Sequence, residues 1–403
     1  MGRRRRLLCF ACFALLCCGA GACGDAPSES EDQAPTVQVL DSAGVTTISL
    51  GTVEELSAPE LSADLLFSTR QLGVELFWAG DALFLGNGGL ALANTGASEV
   101  LLFSADGSMT ARVGGQGEGP GEFSSITTLL GMDAGFLVYD ARLARLNEFT
   151  ETGEFLSSSP LSARSSVVDL KPLARDAAGR MLAILGEQRR FLSEGMNRDT
   201  TPLLSFADLE TEPDTLGVLP AMEWSYGAVP GGGATRTEPA FGRDIVTSGL
   251  GDRALIGDTE VFGLTIYAVG GTVTRRIRGA GGGWPVTDEE IEAWRADRLE
   301  RRGPDAPDWY LEFVENASRR ETHPAFYSAV LGPDQIVWIG LATRFGAETR
   351  RWLVIGPDGE LSGQIDLPAE ASVLAVDADR FVLLLRDALD EEEVRLYRYN
   401  LGP

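Results

Sequence analysis

Hydrophobic residues beyond residue 36 fall in short runs that alternate with polar turns containing glycine. The clearest pattern is two apolar runs, a turn that ends in glycine, and a third run. Two copies occur: residues 89–94, 99–104 and 108–113, and residues 135–140, 145–149 and 154–156. Gly89 and Gly135 are 46 positions apart, and so are the turn residues Gly107 and Gly153. This spacing predicts a repeated unit of β-strands joined by tight turns.

Four further stretches of the chain carry the same kind of strand pair. They are residues 179–184 with 203–206, 254–256 with 264–267, 336–339 with 352–355, and 381–385 with 394–397. Units of roughly 40 to 50 residues with about four strands each are typical of propeller blades. The sequence therefore predicts an all-β fold, a six-bladed β-propeller spanning residues 36–403. A β-sandwich and an open meander are the alternative arrangements of such strands.

The last predicted unit holds only three strands before Pro403. A propeller closes its ring when a strand from the other end of the chain completes the last blade, which removes an exposed sheet edge. Residues 37–40 and 45–48 are the candidates for that closing strand.

Residues 285–320 interrupt the strand pattern with a charged, helix-like segment. Thr287 and Glu290 are spaced as a capping box, in which each side chain bonds the other's backbone N–H. Ile291, Trp294 and Leu299 follow at near-helical spacing. We expect a helical insertion between two blades that covers a face or rim of the disc. It acts either as a ligand-contacting element or as a purely structural cap.

The first 22 residues have the features of a signal peptide. Four arginines, Arg3 to Arg6, precede an apolar stretch at residues 7–18, and small residues at 19–22 lead to Cys23. Small residues before a cysteine resemble the lipobox of bacterial lipoproteins, although Ala20 stands where leucine is usual. The resemblance implies that Cys23 is lipid-modified and becomes the new N-terminus. Plain secretion, with cleavage of the same bond after Ala22, and an uncleaved anchor helix are the alternatives.

Residues 23–35 are polar, acidic and rich in proline and serine, which predicts a flexible tether between the lipid anchor and the folded domain. The predicted location is therefore outside the inner membrane, lipid-anchored in the cell envelope and facing either the periplasm or the cell surface. The predicted domains are a signal peptide at 1–22, the tether at 23–35 and the propeller at 36–403.

Composition excludes several kinds of chemistry. All five cysteines lie at or before Cys23, so the mature domain has neither a disulfide nor a cysteine-based zinc site. The formal net charge of -25 argues against nucleic-acid binding and against a basic membrane patch, which leaves the lipid as the membrane contact.

Single copies of histidine and lysine limit catalysis further. His323, beside Pro324, is interpreted as a loop residue, and Lys171 leaves little scope for lysine-based catalysis. Carboxylates remain as acid–base groups or as ligands for a hard cation such as calcium. Four of them lie near predicted strand ends: Asp140, Asp176, Asp244 and Asp252. Nothing distinguishes these four from ordinary turn residues, so no catalytic or metal-binding residue is assigned.

The segment Gly119-Pro120-Gly121-Glu122-Phe123 resembles the Gly-Pro-Gly-x-Phe signature that joins blades in NHL-type propellers. The chain is also similar to six-bladed propeller lipoproteins of bacteria, with related patterns at residues 41–45 and 324–326 and a degenerate copy at 281–284. We expect the glycines to permit positive φ where the chain crosses between blades, and Phe123 to fill the space between neighbouring sheets.

Two classes of function are compatible with these observations. The first is a non-catalytic binding or scaffold module whose ligand, a protein or a small molecule, is unknown. The second is a calcium-dependent hydrolase or lyase that uses the central channel of the propeller, an activity that the family resemblance allows. A propeller fold alone does not choose between them.

Replacing Cys23 tests the anchor. Cys23→Ser removes the thiol that would carry the lipid, so we expect the protein to move from the membrane fraction to the soluble fraction. Fractionation after a carbonate wash measures this shift. Continued sedimentation of the variant with membranes would refute lipidation at Cys23.

Overall fold

The computed structural model describes residues 37–161, 170–186, 194–229, 233–387 and 389–400. The predicted signal peptide, Cys23 and the tether lie outside these residues. In the described part of the chain, neither helix is long and apolar enough to span a bilayer.

Twenty-seven strands make up most of the described chain. The first three are β1 (Gln38–Ser42), β2 (Val45–Thr52) and β3 (Ser62–Ser68). Next come β4 (Ala79–Phe84), β5 (Leu90–Asn94), β6 (Glu99–Phe103), β7 (Met109–Gly114), β8 (Ile126–Met132), β9 (Gly135–Asp140), β10 (Arg145–Thr150) and β11 (Phe155–Pro160). The middle of the chain forms β12 (Leu170–Arg175), β13 (Met181–Leu185), β14 (Gly195–Phe206), β15 (Asp214–Val229), β16 (Gly233–Thr237), β17 (Ile245–Leu250), β18 (Arg253–Asp258), β19 (Gly263–Ala268) and β20 (Val273–Ala280).

Two helices, α1 (Asp288–Arg302) and α2 (Asp308–Glu315), follow β20. The remaining strands are β21 (Phe326–Leu331), β22 (Val337–Leu341), β23 (Thr349–Ile355), β24 (Leu361–Pro368), β25 (Ser372–Val376), β26 (Arg380–Arg386) and β27 (Glu392–Asn400). Single 3-10 turns occur at Val53–Glu55, Thr95–Ala97 and Pro333–Gln335.

The described strands form six sheets. Their orders are β4-β5-β6-β7, β8-β9-β10-β11 counted from the inside, β12-β13-β14-β15-β16, β17-β18-β19-β20-β2-β1, β21-β22-β23-β24, and β25-β26-β27-β3. The innermost strands β4, β8, β12, β17, β21 and β25 each contact the next one, and β25 contacts β4. Sheets arranged around a common axis by their first strands constitute a β-propeller, so the predicted all-β propeller fold is confirmed.

The apolar runs of the repeat correspond to middle strands of the sheets. Strands β5 and β9, which contain most of residues 89–94 and all of 135–140, are buried along their whole length. A strand packed between two neighbouring sheets is covered on both faces, so its sequence is continuously apolar instead of alternating. Aromatic rings fill these spaces between sheets, as where Trp338 of β22 lies 5.0 Å from Phe381 of β26, measured between ring centroids.

The strand that closes the last sheet is β3. It pairs antiparallel with β27, from Ser68 opposite Arg395 to Ser62 opposite Asn400. The prediction that residues 37–40 or 45–48 close the ring is wrong. Those residues belong to β1 and β2, and β2 pairs parallel with β20, placing buried Ile48 beside Ile277. The pattern at 45–48 predicts a strand with one buried face, but it carries no information about which sheet the strand joins.

The Gly-Pro-Gly-Glu-Phe segment joins two sheets as expected. Phe123 is fully buried between the β4–β7 and β8–β11 sheets, 5.9 Å from the ring of Phe149. Gly121 has φ +75°, and a Cβ on Gly114 would overlap the Phe123 ring. The Arg145 guanidinium donates hydrogen bonds of 2.8 to 3.0 Å to the carbonyl oxygens of Glu118, Gly119 and Glu122. The segment is therefore a structural connection.

The predicted helical insertion is present between β20 and β21. Thr287 Oγ1 accepts a hydrogen bond from the Glu290 N–H at 3.2 Å, and the Glu290 carboxylate accepts one from the Thr287 N–H at 3.0 Å. Ile291 and Trp294 are buried in one apolar cluster with Phe241. The insertion is thus fixed to the propeller by its apolar face.

Phe67 provides a test of ring closure. Its ring in β3 is buried and lies 5.2 Å from that of Phe103 in β6, so it links the last sheet to the first. We expect Phe67→Ala to lower the free energy of unfolding by about 3 to 5 kcal/mol, because it leaves a cavity at this interface. Leu40→Ala in β1, where the side chain is 65% exposed, is the control and should change it by less than about 0.5 kcal/mol. Urea unfolding measures both, and equal effects would contradict closure through β3.

Candidate functional site

One face of the propeller carries most of the irregular structure. We call it the upper face, defined as the face at which the innermost strands β4, β8, β12, β17, β21 and β25 begin. An antiparallel sheet of four strands returns the chain to the face where it started. The helices α1 and α2, which connect the end of β20 to β21, therefore lie at the upper face.

A hairpin extension, here called the arm, rises from the same face. Within β14, only Leu203–Phe206 pairs with β13. The residues Gly195–Thr200 extend past the end of β13 and pair with Pro220–Tyr226 of β15. Strand β16 adds a third strand to the arm. A Cβ on Gly227 of the arm would lie 2.7 Å from ring carbons of Phe313 in α2, so the arm and the insertion are in close contact.

Charged side chains fix the arm and the insertion to the propeller. The buried Glu223 carboxylate of β15 accepts hydrogen bonds from the Arg243 backbone N–H at 2.8 Å and from Arg320 Nε at 3.1 Å. The buried Arg243 guanidinium donates in turn to the carbonyl oxygens of Phe241 and Thr322, at 2.8 and 3.1 Å. A buried acid with several donors holds these segments in one geometry.

Three adjoining cavities extend to this face. The central cavity, about 450 Å³, is surrounded by the innermost strands and includes Asp81, Lys171 and Thr247. A side pocket of about 250 Å³ shares Lys171 and Thr247 with it and extends beneath the arm. An insertion pocket of about 270 Å³ shares Met222 and Asp244 with the side pocket. Aromatic side chains line the insertion pocket: Phe241, Trp294, Phe326, Tyr327 and Phe345.

Lys171, the chain's only lysine, lies where the central cavity and the side pocket meet. Its Nζ donates a hydrogen bond to Thr247 Oγ1 at 3.0 Å. Burial raises the pKa of Asp81 to about 6, although the N–H groups of Leu129 and Ala82 and the charge of Lys171 oppose the rise. Burial likewise raises the pKa of Asp244 to about 6, against the Ile245 N–H and Lys171. Lys171 therefore lines both the cavity that contains Asp81 and the pocket that contains Asp244, two carboxyls whose pKa is raised by burial.

The chain's only histidine occupies the packed region beneath the insertion. His323 is fully buried, with its ring 4.7 Å from that of Phe241 and 5.2 Å from that of Trp284. Its Nε2 lies 3.0 Å from Glu290 Oε1. Burial lowers the pKa of His323, and Glu290 partly opposes this change. His323 is not among the described residues that line the three cavities.

Of the four carboxylates noted at strand ends, only Asp244 lines any of these cavities, and it lines both the side pocket and the insertion pocket. Asp140 accepts four backbone N–H groups, of Ser124, Ser125, Arg142 and Leu143, and so holds a turn. Asp176 pairs with Arg180 at 2.7 Å, and Asp252 lies 3.6 Å from Arg253. Among the residues that the structure describes, no three His, Cys, Asp or Glu side chains group together as metal ligands would.

Solved structures of low sequence identity are similar to this chain. A protein described as exported, from Bacteroides fragilis, is 11% identical, with a TM-score of 0.50 over 89% of this chain and 100% of that chain. A DUF4221 family member from Bacteroides vulgatus is 12% identical, with a TM-score of 0.45 over 86% and 98%. Streptogramin B lyase is 9% identical, with a TM-score of 0.40 over 84% and 98%. No protein family and no curated protein matches the sequence. At this identity the likeness shows the fold alone.

Asp244 gives a prediction for pH dependence. Its native-state pKa of about 6 lies above the ordinary value of 3.8, so the native state binds the proton more tightly than the unfolded state does. The stability that this carboxyl contributes is present below about pH 4 and is lost as the pH rises to about 6. We expect Asp244→Asn to raise the free energy of unfolding at pH 7 by about 1 kcal/mol or more and to leave it nearly unchanged at pH 4. Urea unfolding at both pH values measures this, and an equal effect at the two would contradict the raised pKa.

Proposed function

We propose that this protein is a lipid-anchored binding protein of the bacterial envelope. Residues 1–22 direct export, Cys23 carries the lipid, and residues 23–35 tether a six-bladed propeller of the NHL-like type. The domain binds its ligand at the upper face and does not transform it. Six sheets whose first strands contact one another in a ring support the blade count.

The observation that carries the proposal is the set of three adjoining cavities. Ligand pockets are typically concave, largely apolar, and equipped with a few polar groups that fix orientation. The side pocket combines Ile184, Leu185 and Trp224 with Lys171 and Asp244, and the insertion pocket combines its aromatic rings with Arg243 and Glu223. Both therefore have the composition of a binding site.

The rigidity of the walls also supports binding. Arg198 of the arm pairs with Asp258 of β18, and Arg320, which follows the insertion, pairs with Glu223 of the arm. A pocket whose walls are already fixed loses little conformational entropy when it binds a ligand.

A hydrolase or lyase acting in the central cavity is the second candidate, with calcium as its cofactor. The observation that favours it is the pair Asp81 and Asp244, whose pKa values of about 6 suit proton transfer near neutral pH. Carboxylate oxygens are also the ligands that calcium prefers.

Blocking the junction of the side and insertion pockets tests ligand binding. Met222→Arg places a long charged side chain at this junction. Val218→Arg is the control, because it introduces the same side chain on β15 at a position that is 66% exposed and lines neither pocket. The protein-free small-molecule fraction of an envelope extract should raise the Tm of the wild type and of Val218→Arg, because a ligand stabilises the state that it binds. It should leave the Tm of Met222→Arg unchanged. Equal shifts in all three proteins would refute binding at these pockets.

Calcium separates the two candidates. Chelator-treated protein is titrated with calcium by calorimetry, and lactone and ester hydrolysis are screened with and without the ion. The binding proposal expects no ion-dependent turnover. Stoichiometric calcium binding together with ion-dependent turnover would replace it with the enzyme.

A further inference from the structure

The side pocket contains separated charges of opposite sign. Lys171, Asp199 and Asp244 all line it, between apolar walls that include Ile184 and Trp224. The inference drawn from this arrangement rests on the proposed binding function and concerns the chemical class of the ligand.

The ammonium group has free hydrogen-bonding capacity. Among the described residues, Lys171 Nζ makes one hydrogen bond, to Thr247 Oγ1, out of the three that an ammonium can donate. No described carboxylate lies within ion-pair distance of it. Lys171 is exposed, so its other two N–H groups are free to donate to an anionic partner with two acceptor oxygens.

Asp244 has free capacity of the opposite kind. Its backbone is fixed, because its N–H donates to Thr259 Oγ1 at 2.8 Å and its carbonyl accepts from the Thr259 N–H at 3.0 Å. Carboxylate oxygen Oδ1 accepts from the Ile245 N–H at 2.7 Å, and Oδ2 has no partner among the described residues. Asp199 adds a second negative charge, with Oδ1 bonded to the Thr200 N–H at 2.9 Å.

Lys171 and Asp244 thus line one pocket, do not pair with each other, and are each fixed in position by a neighbouring group. A ligand with only one charge would form a charge-assisted hydrogen bond with only one of the two. A ligand that carries both a carboxylate and an ammonium group satisfies both.

We propose that the side pocket binds a zwitterionic α-amino acid or short peptide with an apolar side chain. Its carboxylate bonds to Lys171 Nζ, its ammonium group to Asp244 Oδ2, and its side chain lies against Ile184, Leu185 and Trp224. The volume of about 250 Å³ accommodates a ligand of this size, and a dipeptide extends into the adjoining central cavity.

Calorimetry with four defined probes tests the proposal on the full mature protein. The probes are L-leucine, L-leucyl-L-leucine, N-acetyl-L-leucine and L-leucinamide. Removing either charge of the ligand should weaken binding about ten-fold or more relative to the free zwitterion, because each removes a charge-assisted hydrogen bond. The dipeptide shows whether the pocket takes a single residue or a chain. Equal affinity for the free and the blocked forms overturns the proposal.

Variants assign each charge to its partner. Lys171→Met should weaken L-leucine binding about ten-fold or more but leave L-leucinamide unaffected, and Lys171→Arg should retain most of the affinity. Asp244→Asn should abolish the preference for L-leucine over N-acetyl-L-leucine. Arg112→Met, on an exposed outer strand where Arg112 pairs with Glu99 at 2.7 Å, is the matched control and should bind like the wild type.

The single lysine permits a direct occupancy measurement. Amine acetylation can modify only one side chain in this protein, Lys171, and mass spectrometry follows its extent. L-leucine should slow acetylation of Lys171, and N-acetyl-L-leucine should not.

If leucine compounds neither bind nor protect, but the small-molecule envelope fraction protects Lys171, the amino-acid proposal fails and the binding function stands. If neither protects, both fail.

Discussion

The antiparallel pairing of β3 with β27 is the constraint on which the rest of the structure depends. Each sheet packs mainly against its two neighbours, so the ring has no continuous core of its own and is held by interfaces between sheets. Without β3 the last sheet would expose the edge of β27 and lose the contact of Phe67 with Phe103. The central cavity exists because the innermost strands remain in mutual contact, so the closing pair supports the cavity without lining it.

The sequence predicts the middle strands of the sheets well and the innermost strands poorly. The middle strands β5 and β9 are buried along their whole length because neighbouring sheets cover both faces, and they are apolar up to their last residues, Asn94 and Asp140. An innermost strand turns one edge or face toward the cavity, so polar residues interrupt its run of apolar residues. Strand β17, with Thr247, Ser248 and Gly249, has no fully buried position and carries no signal that distinguishes it from a loop. The capping box of α1 was predictable for the opposite reason, since its contacts are local in sequence.

The candidate site shows the same division. Asp244 was recognisable as a carboxylate next to a strand, but its neighbours at the site come from other sheets and from the arm. Asp81 gave no signal in the sequence, because its environment comes from long-range packing. Burial raises its pKa, and the N–H of Leu129 in the adjacent sheet orients its carboxylate. The uniqueness of Lys171 was visible in the composition, whereas its position between two cavities depends on long-range packing. Sequence patterns report periodicity and local capping, and they do not report which distant segments meet.

The addition of β1 and β2 to the outside of the β17–β20 sheet has a mechanical consequence. Any tension that reaches the domain from its N-terminal side acts first on β1, an exposed edge strand whose backbone pairs only with β2 among the described strands. Next in line is β2, which is anchored more firmly by its parallel pairing with β20 and by Ile48 in the core. The buried side chains of Val53, Leu56 and Leu61 then hold the segment that leads to β3 and the ring itself. Pulling on this side of the domain would therefore detach the first two strands before it opened the propeller.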